Sequence, residues 1–504
     1  MLDRFLEAVG RVNGAINSVV WGWPMIILIL MTGLLLSVRT RFLQVRRFKE
    51  SLGTTILPTV KGLGKKQKKK TAEGSVSQFE AFSAAISGTV GTGNIVGVIS
   101  AILTGGPGAV LWMWISAFFG MVTNYSENVL GLYFRKKNHN GELSGGPFYY
   151  IAYGLKWRWL AYVAAVFCLL ASVGMSGVQT NKITGTVTEA LDKAVGLEDP
   201  GVIKLIVGAV VAAAAGVIII GGIKRIGRVA SMLVPFMSLV FITLSLIAIG
   251  MHIQNVPGAF GMIFSKAFTF EAAGGGVLGY TFATVIRKGM ARGVFSNEAG
   301  LGSSVIAHSA SETKEPVKQG LWGVFEVFLD TFVICTMTSL TFLTTFDISS
   351  LTGKEDDAAM AIEMFETNFG SFGVIVYSII MPLFAFTSIL AWSYYGEKAV
   401  EFLFRKVGVK GREATVKVFK AGYIVLILLS TFITGDLIWE IDDTFNGLMA
   451  LPNLICLIAL SGLVARITKN YFDRRRGIKA PPMLSAYPDL NEEFAAEIEN
   501  APVN

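Results

Sequence analysis

Long apolar runs follow one another along the chain, separated by short polar stretches, and most are long enough to cross a bilayer as helices. The pattern predicts eleven membrane spans, at roughly 18–38, 79–103, 107–134, 158–190, 202–221, 228–250, 274–310, 317–346, 370–396, 417–436 and 442–467. Ahead of the first, Leu2, Phe5, Leu6, Val9, Val12 and Ile16 recur at helical spacing among Asp3, Arg4, Glu7 and Arg11, which predicts an interfacial helix over 1–17. The run 18–38 is too long for the apolar core of a secretory leader and no small-residue cleavage site follows it, so it reads as a retained, extra N-terminal span.

Two spans are interrupted. The first carries Ser87-Gly88-Thr89-Val90-Gly91-Thr92-Gly93-Asn94, and the second carries Phe295-Ser296-Asn297-Glu298-Ala299-Gly300-Leu301-Gly302-Ser303-Ser304. Glycine favours an unwound backbone, and Ser, Thr and Asn can bond the peptide groups that unwinding frees. Hydrocarbon tolerates such a break only where it is buried in protein or lines a cavity. The bland alternative is that both are close-packing glycines of the small-xxx-small kind; Asn94 and Asn297 inside apolar spans argue against it.

Charge then sets the topology. Only 16% of residues are charged, against about 25% in a soluble domain, and 52% are hydrophobic. The net charge of +8 does not indicate nucleic acid, because the basic residues cluster between spans. The loop 39–78 is the most basic, and 135–158, 222–228, 397–420 and the segment after 467 are basic too. The loops between these are poor in Lys and Arg, which predicts the N-terminus outside and the C-terminus in the cytoplasm, in agreement with an odd number of spans. The lysine run at 65–70 reads as a topology determinant or as a binder of anionic lipid. Cys168, Cys335 and Cys456 lie in spans at spacings that fit no metal motif or disulfide framework, and His139, His252 and His308 are scattered. The acidic stretch from Pro481, with few large apolar residues, predicts a disordered or loosely docked tail.

With the first span set aside ten remain, and the broken ones are the first and the sixth. That makes two five-helix units, 79–250 and 274–467, joined by an extracellular connection at 251–273 and followed by a cytoplasmic tail at 468–504. Five is odd, so the second unit is inverted relative to the first. Paired inverted repeats with broken helices place a transported substrate at mid-membrane, where half-helix N-termini face anionic groups and free carbonyls face cations.

Gly105-Gly106-Pro107-Gly108-Ala109-Val110-Leu111-Trp112-Met113-Trp114-Ile115-Ser116-Ala117-Phe118-Phe119-Gly120 resembles the signature segment of the sodium:alanine (alanine or glycine:cation) symporter family, with Leu111 where Phe is usual. Gly88-Thr89-Val90-Gly91-Thr92-Gly93-Asn94-Ile95 and Ser296-Asn297-Glu298-Ala299-Gly300-Leu301-Gly302 are similar to family segments as well. The resemblance covers about 1–475. It implies an all-α, polytopic, leucine-transporter-type fold in a cell membrane and sodium-coupled import of small neutral amino acids, chiefly alanine and also glycine. Na⁺ is then the coupling ion, with no organic cofactor, and the protein is expected to work as a monomer.

An amino-acid zwitterion needs donors for its carboxylate and acceptors for its ammonium. Backbone amides of Gly91, Thr92, Gly93 and Asn94 supply donors, with the Asn94 side chain beside them, and carbonyls near Phe295 and Asn297 supply acceptors. Ser172, Ser176 and Gln179 form a polar stripe that alone reads equally as helix–helix contact; with the family, Gln179 is assigned to the substrate. Trp392 lies one turn after Ser388, and Trp392 and Phe295 are expected to cap the cavity rather than face lipid or core. For Na⁺, the resemblance implies the hydroxyls of Thr387 and Ser388 with the carbonyls of Phe384, Ser87 and Val90; the bland alternative has both hydroxyls bonding their own helix. Glu298, Arg292, Glu326 and Asp330 are expected to pair among themselves, as a gate or as a static structural pair.

An enzyme is disfavoured by the lack of HExxH, GxSxG, a P-loop lysine or paired-His spacing. An ion channel is a rival from a different class, which paired inverted breaks disfavour. Proton coupling through Glu127, Glu298 or Asp330 is the rival among transporters.

Overall fold

A computed structural model describes residues 2–62, 75–138, 141–197, 199–268, 282–348, 356–432 and 435–499. The lysine run at 65–70 and His139 lie outside the described residues. Helices dominate, and among the described residues eight are long and apolar enough to cross a membrane. The other three predicted spans miss that measure for local reasons. Residues 79–103 are split into the helices Gln78–Thr89 and Val96–Gly105. The helix Ala109–Tyr133 carries Thr123, Asn124, Ser126, Glu127 and Asn128 in its second half. The predicted span 274–310 is described only from Phe282 and is split again after Asn297.

Each break has a physical origin. Ser77 starts the first half-helix through a capping box, its hydroxyl accepting from the Glu80 amide while the Glu80 carboxylate accepts from the Ser77 amide. That helix stops because Val90 and Gly91 are extended. A single 3₁₀ turn, Thr92–Asn94, leads into Val96–Gly105. At the second break Glu298 takes a left-handed φ of 54°, and Gly300 and Gly302 follow at 97° and 77°. Left-handed backbone ends a helix, and only glycine adopts it without strain. The helix resumes for five residues, Ser304–His308.

The two broken segments are tied together at one end of the molecule. The Val76 amide donates to the Ala310 carbonyl at 3.1 Å, and the Glu312 amide donates to the Val76 carbonyl at 2.8 Å. Arg135, fully buried, donates to the carbonyls of Ser309 (3.1 Å), Ser311 (2.7 Å) and Thr313 (2.5 Å). A guanidinium can serve several acceptors at once, which suits it to holding an irregular segment.

The described residues are helical as expected, apart from a two-residue antiparallel pairing of Lys136–Lys137 with Leu143–Ser144. The connections carry more structure than expected. The expected loop 39–78 holds the helices Leu43–Arg46 and Phe48–Gly62, and the expected connection 251–273 holds Val256–Lys266. The last long helix runs Gly435–Arg475, beyond the predicted 442–467.

The tail is docked rather than loose. Leu484 and Phe494 are buried with Leu143, the Ala486 amide donates to the Tyr133 carbonyl at 2.9 Å, and Lys137 and Lys314 pair with Glu493 and Glu497. The tail is poor in apolar residues, yet the ones it has are aligned by the helix Pro488–Glu499. Truncating Phe494 to Ala removes a fully buried ring, a change that typically costs about 3–5 kcal/mol. Limited proteolysis of the purified variant is therefore expected to release the tail far faster than from the parent; equal cleavage rates would show that Phe494 does not hold it.

Candidate functional site

The site is built around the first break. Asn94 replaces the missing helix geometry there: its Oδ1 accepts from the Gly91 amide at 2.9 Å, and its Nδ2 donates to Asp330 Oδ1 at 2.6 Å and to Ser296 Oγ at 2.9 Å. The Thr338 hydroxyl donates to the Asn94 carbonyl at 2.8 Å. Asn94 thus cross-links both breaks to the helix pair 316–345, and its side chain is engaged in holding the backbone.

Ser388 comes closest to the predicted cation role. Its Oγ donates to the Ser87 carbonyl at 3.0 Å and to the Phe384 carbonyl at 3.2 Å, so three predicted oxygens converge. Thr387 donates to the same Phe384 carbonyl at 3.0 Å, while its hydroxyl also approaches Met237 Sδ at 3.9 Å. Consecutive helical residues point about 100° apart, and although both hydroxyls share the Phe384 carbonyl, of the two only Ser388 is bonded to the Ser87 carbonyl. Val90 is fully buried at the end of the first half-helix.

Gly91 is where the predicted cation and substrate residues meet. A Cβ at Gly91 would lie 2.6 Å from Ser388 Oγ and 3.3 Å from Gln179 Nε2, so only glycine leaves this approach open. Gln179 Nε2 faces Met175 Sδ at 3.2 Å. Gln179 Oε1 and Thr92 Oγ1 are buried with no hydrogen-bond partner among the described residues. Buried polar atoms in folded proteins are nearly always paired, so unpaired ones beside a helix break mark a place for a polar ligand.

The aromatic residues take separate places. The Phe295 ring lies 3.3 Å from where a Gly93 Cβ would be, and stacks on Trp439 at 5.4 Å. Arg292 covers both rings and lies 4.0 Å from Asp443. Trp392 is fully buried, donates through Nε1 to Glu298 Oε1 at 3.1 Å, and packs on Tyr395. Asn297 is occupied within its own break, with Oδ1 accepting from the Ala299 amide at 3.0 Å and Nδ2 donating to Thr331 at 3.1 Å.

The expected pairing among Arg292, Glu298, Glu326 and Asp330 is absent among the described residues. Arg292 faces Asp443, Glu298 accepts from Ser303 and Trp392, and Glu326 meets His308 at 2.6 Å. Asp330 accepts from Asn94, Ser296 and Thr331. Neutral donors compensate these carboxylates, which spares the cost of drawing a distant long cation into the core.

Sequence reading missed several partners. Glu127 accepts from the Gly300 amide at 3.1 Å and from Asn453 at 2.5 Å, and Asn453 also donates to the Gly300 carbonyl at 2.8 Å. His308 Nδ1 bonds Gln319 at 2.7 Å. Asp330 reaches the first break because Phe328–Cys335 is a π-helical turn, a local widening that often marks functional sites.

A family profile described as "Sodium:alanine symporter family" matches residues 6–484. The sodium/alanine symporter AgcS of Methanococcus maripaludis is 39% identical over 478 residues, covering 94% of this chain and 99% of that protein. An uncharacterized transporter of Haemophilus influenzae is 41% identical over 469 residues, covering 92% and 97%. Among solved structures, MhsT in complex with L-phenylalanine superposes with a TM-score of 0.54 at 13% identity, covering 79% of this chain and 98% of that one. At that identity the likeness establishes the fold alone.

Proposed function

Because the chain belongs to the sodium:alanine symporter family, we propose that it is a sodium-coupled symporter that imports a small neutral amino acid, alanine or glycine, by alternating access. The observation that carries this reading is Gly91. There the Ser388 hydroxyl, already on the Ser87 and Phe384 carbonyls, comes beside Gln179, whose Oε1 has no partner among the described residues. Coupling needs the ion and the substrate to stabilise the same backbone arrangement, and a shared helix break provides it.

In this reading Na⁺ sits on Ser388, Thr387 and the carbonyls of Ser87, Val90 and Phe384. The substrate carboxylate takes the amides of Thr92 and Gly93, since the Gly91 and Asn94 amides are already bonded within the break, and the substrate ammonium takes Thr92 Oγ1 and Gln179 Oε1. Phe295 over Gly93 limits the side chain to a small one. Eleven spans with the N-terminus outside, two inverted five-helix repeats and a working monomer complete the proposal. Asn94, Asn297 and Trp392 hold the breaks in shape.

The deciding assay is uptake of labelled alanine into proteoliposomes under an inward Na⁺ gradient. Accumulation above equilibrium supports symport; equilibration alone would point to a channel. Alanine at Ser388 is expected to raise the Na⁺ concentration for half-maximal uptake by about tenfold, the scale of one lost buried hydroxyl interaction. Alanine at Thr387 is expected to raise it less, since that hydroxyl does not reach Ser87. Equal effects would contradict the assignment.

A second reading, proton coupling, is favoured by one observation: Glu127, Glu298 and Asp330 are fully buried and bonded to neutral donors. Uptake driven by a proton gradient without Na⁺ would select it.

A further inference from the structure

The first apolar helix and the last long helix meet in a basic cavity that the transport site does not use. The cavity has a volume of about 300 Å³ and is lined by seven Arg or Lys side chains and a single acid, Asp473. Arg47 is already paired with Glu50 at 3.0 Å. Arg39, Arg41, Arg46, Arg466, Lys469 and Arg476 form no ion pair among the described residues. Six cations without an ion pair around one small cavity repel one another, so the arrangement is stabilised by an anion of matching size.

Its surroundings identify what carries that anion. Arg39, Ala465 and Arg466 also line a second cavity of about 700 Å³, whose remaining walls include Phe134, Leu460, Gly462 and Leu463. The basic cavity therefore adjoins a groove whose other walls are mostly apolar side chains. On the helix Trp23–Arg39, Ile27, Met31, Leu34 and Val38 are exposed along one face and end at the same place. Just beyond, Arg41 and Phe42 both take left-handed φ values of 59° and 51°, held by the Phe42 amide on the Ser37 carbonyl at 2.6 Å. That turn sets an exposed Phe42 beside the cations. A charged head followed by an apolar groove at the end of a lipid-facing stripe matches one molecule, and a free inorganic anion would leave the groove unused.

We propose that this is a binding site for an anionic glycerophospholipid, with the phosphate among Arg39, Arg466 and Lys469 and an acyl chain in the groove beside Gly462. Arg466 and Lys469 lie three residues apart on one helix, so both face the headgroup. The bound lipid staples the helix Trp23–Arg39 to the last long helix, which is tied near its other end, through Asp443, to Asn17 and Trp21 ahead of Trp23.

The test uses the full-length protein in a neutral detergent and native mass spectrometry. Dioleoylphosphatidylglycerol is titrated against dioleoylphosphatidylcholine. The parent is expected to prefer the anionic lipid by about tenfold or more, given several basic groups at the surface. The combined variant Arg39→Gln, Arg466→Gln, Lys469→Gln is expected to lose the preference while binding phosphatidylcholine as before. A Cβ at Gly462 meets nothing within 4 Å, so the backbone there admits a side chain and Gly462→Phe places a ring at the groove wall. It is expected to weaken the dioleoyl lipid and leave a short-chain phosphatidylglycerol unaffected. If the triple variant fails to fold, Gly462→Phe and the salt dependence of the parent still decide. Equal affinity for both lipids, insensitivity to salt, or full displacement by millimolar inorganic phosphate would overturn the proposal.

Discussion

Alanine in place of Gly91 is expected to reduce Na⁺-driven uptake by at least about tenfold and to raise the Na⁺ concentration that half-saturates it. The added Cβ lies 2.6 Å from Ser388 Oγ, inside any real contact distance. A serine hydroxyl is the end of a short side chain, so it can rotate away instead of forcing the helices apart. Rotation takes it off the Ser87 and Phe384 carbonyls, 3.0 and 3.2 Å away. Losing one buried hydroxyl interaction costs about 1–3 kcal/mol, and about 1.4 kcal/mol is a factor of ten. The double variant is a sharper test. If Gly91→Ala acts by displacing that hydroxyl, then Ser388→Ala removes both the clash and the group displaced. Adding it to Gly91→Ala should cost little more than either change alone. Fully additive losses, measured as Na⁺ titrations of alanine uptake, would show that Gly91 matters for another reason.

The two breaks were legible because their chemistry is local. A run such as Ser87 to Asn94 weakens an apolar helix through its glycines and hydroxyls; the helix persists to Thr89 and gives way to extended backbone at Val90 and Gly91. The position of Gln179 opposite Gly91 was half legible, as a polar stripe whose direction only the packing of the helices could fix. The carboxylate partners were not legible. Glu127 meets Asn453 across 326 positions and Trp392 meets Glu298 across 94, so no spacing rule connects them. Charge complementarity suggested Arg292 for Glu298, but Arg292 lies against Trp439 and Asp443 instead. The basic cavity was legible as a charge count in the segment 39–78 and after 467, and illegible as a site, because its walls come from the two ends of the chain.

The largest loss is expected at Glu298. Alanine there should cut uptake by about a hundredfold or more, because the indole N–H of Trp392 and the Ser303 hydroxyl both lose their acceptor. Each buried donor left unpaired costs about 1–3 kcal/mol, and two together reach that range. Glu298 also sits at a φ of 54°, which costs a non-glycine residue about 1–2 kcal/mol. Carboxylate and strain can be separated by comparing substitutions. Glycine removes both, so Glu298→Gly should unfold at a higher temperature than Glu298→Ala yet transport no better. If glycine transports while alanine does not, the strained turn matters and the carboxylate does not. Glutamine keeps one oxygen for Trp392 and offers an amide to Ser303, whose hydroxyl can turn to accept it. Under sodium coupling with Glu298 as an anchor, Glu298→Gln should therefore lose less than about tenfold. A glutamine variant as inactive as alanine would instead require the carboxylate to ionise during the cycle, and would move the coupling proton, and the second reading with it, onto Glu298.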